Sequence, residues 1–587
     1  MFVRPISNTS NTIIPRSFCL VALLVFIAPH LAAQEDDTLD TEVVNVVKPY
    51  SPTISDAFKV KESPLLNDSI SSQKKEMQYG IFSVPVASTF TPAKGSATSV
   101  EKAKKTKAYD NYATLGLGNY TSVLGAFYST VTLSKTDDVG MSFKHNSSLG
   151  SIAGARTQSD YLDSQLDLNY SSRQRNASYA LNFGVQHQKY NWYGINDFFN
   201  FNPDSFFDDL DVSQHYVSAT LGASIAMEDS FFESAAIHFR YLGDSYNSSE
   251  FNILALPKFS VPLNEYNLNI ALAVDYISGS FFEDLFIAGA KKYTQFNVGV
   301  LPSISVVTDD LSLKLGVTAY LGMDGEANET DVYIYPNLSA SYRLVGDLFI
   351  AYGGIEGGLM QNSFYGSKEV NPFVSPTLDM NPTSKTYDVF AGVKGKLTKS
   401  LAYNVRAGYT NEKDKALFKS NLYSNVLNTE GYSFGNSFGL VYDTVKTLGV
   451  FGELATVISK YLSIGVNATF STYSTENQGE AWNLPTLQAS MFSTFNITTS
   501  LYGGFSLFYV GERSDENSNL VLGAEDSLVT LEGYLDANVN VGYQITERLS
   551  VFVKGNNLLG DGYQKWYNYP VQGIQIMGGA SYKFNWF

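Results

Sequence analysis

Aromatic rings and carboxylates crowd one segment of this chain. Trp192, Tyr193, Phe198, Phe199 and Phe201 are followed by Phe206, Phe207, Asp208 and Asp209, with Asp197, Asp204 and Asp211 among them. Ring faces stack on sugars or apolar ligands and aspartates hold cations or hydroxyls, which makes this a candidate ligand-contact loop. The alternative is that the rings fold inward as a lid or meet a partner. Asp324, Glu326, Asn328, Glu329 and Asp331 form a second oxygen-rich stretch. It lacks the mid-loop Gly and terminal Glu of a calcium hand, so a solvated loop is the better reading. His145, His187, His215 and His238 show no metal-ligand spacing and read as wall residues. No nucleophile, base and orienter stand in a convincing set, so neither an enzyme, a cofactor nor a metal is expected.

The elements that must position these residues show a regular pattern. From Tyr266 to Tyr276, Leu268, Ile270, Leu272 and Val274 alternate with Asn267, Asn269, Ala271, Ala273 and Asp275. This period of two is a strand with one greasy face and one polar or small face. The same dyad recurs around Leu181, Leu313 and Val539. Ten steps at ~3.3 Å with a tilt of ~40° project to roughly 25 Å, the height of an outer-membrane apolar band. Aromatic residues at both ends suit two interfaces. On this reading Asp163, Asp167, Asp275 and Asp536 face a lumen.

The breaks between strands are asymmetric. Short turns fall at 135–138, 171–176, 227–230, 308–310, 344–347, 397–400, 459–461, 496–500 and 546–548, with mostly longer connections between them, at 189–213, 322–331, 357–385, 410–431, 511–532 and 560–571. Short periplasmic turns and long extracellular loops are the signature of a transmembrane antiparallel β-barrel, and the alternation predicts about 22 strands. A soluble all-β sandwich would also alternate, but would not show this asymmetry.

Composition narrows the partners. Charged residues are 17% and aromatic residues 14% of the chain, which is too aromatic and too weakly charged for disorder. A net charge of -17 leaves no basic face for a phosphate backbone, so nucleic acid is not expected. The apolar run from Phe18 to Ala28 follows Arg4 and Arg16 and precedes Leu31, Ala32 and Ala33, giving an expected signal peptide over 1–33. Cys19, the only cysteine, lies within it, so disulfides are not expected in the mature chain. Residues 34–110 are polar and Pro-punctuated and read as a periplasmic or lumenal arm, before a single barrel over 111–587.

The end of the chain is similar to a known family. Val551-Phe552-Val553-Lys554-Gly555-Asn556-Asn557-Leu558-Leu559-Gly560, then Tyr563 and the last strand, resemble the closing strands of TonB-dependent receptors. So do Tyr509-Val510-Gly511-Glu512-Arg513 and Gly449 to Leu454. The resemblance implies a barrel of about 22 strands in the outer membrane, taking up a small ligand with energy passed through TonB. Tyr582, Phe584, Trp586 and Phe587 resemble the aromatic signal read by the barrel-insertion machinery, although 585–587 extend past the usual end. Glu42, Val43, Val44, Asn45, Val46 and Val47 resemble a TonB box, an extended segment that adds to a sheet edge. The family's plug is much longer than the arm and its Gly and Arg signatures are missing, so a standard plug is not expected. Something must then occlude the lumen: the arm, the long loops, or a plugging partner such as an outer-membrane lipoprotein. The competing readings are a non-transporting structural subunit of an envelope complex and a passive porin.

Overall fold

The computed structural model describes residues 108–586, apart from 196–202, 286, 288, 424–428 and 518–527. The expected signal peptide, the arm through Lys107 with Glu42 to Val47, and Phe198, Phe199, Phe201 and Phe587 lie outside the described residues.

Twenty-two strands, each antiparallel to its neighbours, form one sheet. The first, Asn111–Gly118, pairs with both the second, Ser122–Thr132, and the last, Gln575–Phe584, from Asn111 opposite Phe584 to Gly118 opposite Met577. That last pairing closes the barrel and leaves no unpaired sheet edge.

The alternation seen in the sequence separates the two faces of the wall. Leu181, Leu221, Ile237, Val332, Ile334, Leu454 and Val553 are exposed on the outside. Between them, hydrogen-bonded polar groups face inward, as in Tyr352 Oη donating to Asn404 Oδ1 at 2.6 Å and Arg406 Nη2 to Asp388 Oδ2 at 2.8 Å. Exposed aromatic residues mark the end of the barrel where the chain makes its short turns: Tyr179, Tyr266, Tyr461, Tyr502, Tyr543 and Trp586. Asn264, at φ 55°, is one of two residues joining Ser249–Leu263 to Tyr266–Phe281. Asn tolerates this left-handed conformation better than most side chains because its amide bonds locally.

Two expected long loops are instead largely strand. Leu311–Asp324 and Glu329–Val345 pair as far as Asp324 opposite Glu329, which leaves a short turn in place of the loop at 322–331. Leu401–Ser420 runs twenty residues and pairs with Phe438–Ser459, which moves the connection expected at 410–431 to 421–437. The reason is the same in both cases. The ladder continues past the apolar band, where outward residues become polar and their sequence reads like loop.

Candidate functional site at the loop end of the barrel

The inner face changes along a single strand. On Ala177–Asn191, Asn182 is exposed whereas Gln188, on the same face and nearer the loop end, is buried. What covers it is the connection 361–382, which turns into the mouth of the barrel and carries the short helix Phe364–Val370.

That helix is anchored at both ends. Ser363 caps its start by accepting the Gly366 N–H at 2.9 Å. The buried Glu250 carboxylate, from the strand Ser249–Leu263, accepts the N–H of Phe364 at 2.5 Å and of Tyr365 at 3.2 Å. Tyr293 Oη donates to the same carboxylate at 2.7 Å, and Arg240 Nη2 stands 3.8 Å away. These donors satisfy a buried charge that would otherwise be costly. Phe364 fills the space between Tyr216 and Phe281, edge-on to both. Near the helix end Lys368, 2% exposed, donates to Gln188 Oε1 and, at 2.5 Å, to Glu369 Oε1. Burial lowers the Lys368 pKa, against the opposing pull of Glu369.

The remainder of the connection reaches strands elsewhere around the ring. Val374 bridges Phe438 in parallel, with Ser375 N–H donating to Phe438 O at 2.9 Å. Gln295 Nε2 donates to Met380 O at 2.6 Å, and Lys291 pairs with Asp379 at 2.5 Å. Phe373 stacks on Tyr569 at 3.8 Å between ring centres. Tyr569 belongs to a small hairpin, Gln564–Trp566 with Tyr569–Pro570, in the final connection. Its ring lies so close to Gly194 that a side chain there would collide with it. Arg513 ties this hairpin down by donating to Lys565 O at 2.5 Å and Gln564 O at 2.9 Å. Burial, helped by the Arg513 charge, lowers the Lys565 pKa to about 8. Connections from several parts of the ring therefore meet in two buried clusters with Phe373 packed against both.

Of the two readings of the aromatic segment, the geometry of Trp192 and Tyr193 matches the inward-folded one, both rings being packed within the loop cluster. Trp192 is 1% exposed, donates from Nε1 to Phe373 O at 3.1 Å and meets Tyr246 and Tyr432 edge-on. Tyr193 packs on Phe373 and Tyr569 and donates to Pro570 O at 3.0 Å. Asp208 and Asp209 remain exposed at the end of the helix Asp204–Asp208.

Asp163 and Asp167 lie on the face opposite the exposed Leu168, accepting from Gln186 at 2.9 Å and Ser142 at 3.1 Å. Asp275 accepts from Asn252 at 2.7 Å on the face of the buried Ile277, and Asp536 accepts from Tyr563 at 3.0 Å. The four carboxylates are spread around the wall and do not converge on one site. On the outer face Tyr582 stacks on Phe584 and Phe584 meets Trp586 edge-on, with Trp586 Nε1 donating to Ser129 Oγ at 3.1 Å.

A cleft of about 420 Å³ opens beside the closure, lined by Asp211, His215, Tyr246, Glu283, Glu430 and Tyr432 among others. Asp211 is held low by hydrogen bonds from Ser213, whereas burial raises Glu430, with repulsion from Glu283 and Asp211 adding to it. Among the described residues no group of His, Cys, Asp and Glu is placed to hold a metal ion. Sequence reasoning missed Glu250, Arg240, Lys368 and Tyr569. The one local signal was Ser363, a capping residue inside a segment already expected to be a long loop.

No family model and no curated protein matches the chain. Solved structures do match in fold. The chain is similar to FpvAI in its complex with pyocin S2, at 13% identity and TM-score 0.59, over 81% of this chain and 73% of that one. It is similar to the siderophore receptor PirA from Acinetobacter baumannii at 12% identity and TM-score 0.59, over 81% of each chain. It also resembles the ferric enterobactin receptor PfeA from Pseudomonas aeruginosa, at 12% identity and TM-score 0.57, over 82% of this chain and 81% of that one. The fold is that of the TonB-dependent receptor barrels.

Proposed function

We propose that this chain is an outer-membrane receptor barrel that binds a small ligand at its loop end and admits it through the lumen. An exposed apolar wall with an aromatic girdle at one end suits a bilayer, which makes the short-turn end periplasmic and the loop end extracellular. The observation that carries the reading is the connection 361–382 packed into the mouth: it is built from loop, so it can move while the wall strands stay paired. The acidic and aromatic cleft beside the lid is the recognition surface, and the inward carboxylates line the path below. The chain is read as non-catalytic. Glu42 to Val47 engage TonB, the outer face meets lipid, and the terminal Tyr582, Phe584, Trp586 and Phe587 are read by the insertion machinery.

The likeness to siderophore receptors makes a ferric siderophore the first probe. Deleting residues 42–47 is expected to abolish accumulation of radiolabelled ferric siderophore while the barrel still inserts, judged by its heat-modifiable migration in outer-membrane fractions. Unchanged accumulation would count against energy-coupled uptake.

The extent of the closure also favours a second reading, a permanently shut barrel serving as a structural subunit with an outer-membrane lipoprotein partner. It predicts no ligand accumulation and co-purification of that partner. A passive porin predicts steady conductance in planar bilayers, which the connection packed into the mouth opposes.

A further inference from the structure

One patch of the outer wall, on four successive strands, departs from a purely apolar belt. Across four successive strands, Phe239, Phe251, Tyr276 and Phe296 form an outward ladder of rings, at 4.5 Å, 6.5 Å and 6.4 Å between centres. Rings in such a row mark the level where acyl chains give way to headgroups. Immediately beyond the ladder, toward the loop end, the outward positions of the same strands carry hydroxyls and a cation. Ser249 lies 3.4 Å from Ser280 and Ser278 lies 3.3 Å from Thr294, oxygen to oxygen. They surround a cleft of about 320 Å³, with Tyr241, Lys292 and Glu326 also on its rim. Tyr241 is 44% exposed, and Lys292 is exposed and makes no ion pair among the described residues. The Glu326 carboxylate accepts a 3.5 Å contact from Thr294 Oγ1.

We propose that this cleft binds the saccharide headgroup of an outer-leaflet glycolipid. The chemistry fits a sugar: hydroxyls that both donate and accept, one ammonium and one carboxylate of opposite demand, and an exposed tyrosine ring for the apolar face of a pyranose. The position fits a sugar that is carried on lipid, since acyl chains can descend over Phe251 and Tyr276 while the headgroup rests above them. The cleft is on the outside of the wall, so its occupant does not compete with ligand entering the lumen. The inference depends on the membrane placement of the barrel but not on uptake.

The test uses the full chain, purified in mild detergent and exchanged into nanodiscs containing lipopolysaccharide or containing phospholipid alone, with native mass spectrometry counting bound glycolipid. Wild type is expected to retain lipopolysaccharide. Lys292→Ala with Ser280→Leu should weaken retention about tenfold, the loss expected when two or more hydrogen-bonding groups are removed. Equal retention by wild type and variant would overturn the site. Delipidated core oligosaccharide competing as well as the intact glycolipid would overturn the lipid-borne source. Heat-modifiable migration of both proteins in outer-membrane fractions separates failure of this site from failure of membrane insertion. Because the substituted residues point outward at an exposed rim, the variant is expected to insert normally. A second variant, Tyr241→Ala, removes only the stacking ring and should lower retention without touching the polar groups.

Discussion

The two ends of the barrel are built by different physics. At the turn end, two strands that already pair are joined by a few residues, as at 264–265 and 346–348, and the long-range hydrogen bonds there, such as Asn111 Nδ2 to Phe584 O, belong to the seam between the first and last strands. At the loop end, the decisive contacts join residues far apart: Glu250 with Phe364 across 114 positions, Lys368 with Gln188 across 180, and Tyr193 with Pro570 across 377. The turn end is therefore tied to the stability of the sheet, while the loop end has stability of its own and can open locally. The difference gathers the long-range contacts at the loop end, the end at which the proposed function puts ligand entry.

The largest effect is expected from Phe364→Ala. Removing this fully buried ring leaves a cavity between Tyr216 and Phe281 and should weaken docking of the lid by about 4 kcal/mol. Conductance should appear in planar bilayers and 361–382 should become protease-sensitive, with barrel migration unchanged. A silent, protease-resistant variant would show that the lid does not depend on this contact.

Glu250→Ala comes next. It strands the Phe364 and Tyr365 N–H groups and the Tyr293 hydroxyl, at a cost of about 2–3 kcal/mol in lid docking. The same readouts apply, and Glu250→Gln should be milder because an amide oxygen can still accept.

A smaller effect concerns pH and the hairpin that carries Lys565. Its folded pKa of about 8 lies below the unfolded value, so below about pH 8 both states are charged and burial of the charge destabilises the hairpin. Between about pH 8 and 10.5 the unfolded state binds more protons, and stability rises with pH through that window. Limited proteolysis of 557–574 should slow between pH 7.5 and 9.5 relative to a Lys565→Met control. A control with the same trend would remove Lys565 from the account.

The smallest effect belongs to the turn end. Tyr266→Ala takes one ring from the exposed girdle and should cost about 1 kcal/mol or less in denaturant titrations in lipid, with no conductance. Channel opening by this variant would break the contrast between the two ends.

Much of the wall was legible before the structure. The turns expected at 308–310 and 397–400 sit where strands ending at Val307 and Lys396 give way to those starting at Leu311 and Leu401. The strand number and the outward face of Tyr266 to Tyr276 were equally readable. The loops were misjudged where polar residues still pair, as at Asp324 opposite Glu329. For Trp192 and Tyr193 the sequence left ligand contact and an inward lid both open, because nothing local distinguishes an exposed aromatic loop from one folded inward.

By itself, the sequence determined the wall, because a strand's two faces are written in successive residues and closure repeats that local rule around the ring. Only the tertiary structure decided what packs into the mouth. A carboxylate on one strand, a helix start from a distant connection and a hairpin near the chain's end carry no shared period, and their meeting follows from the ring that brings them to one rim.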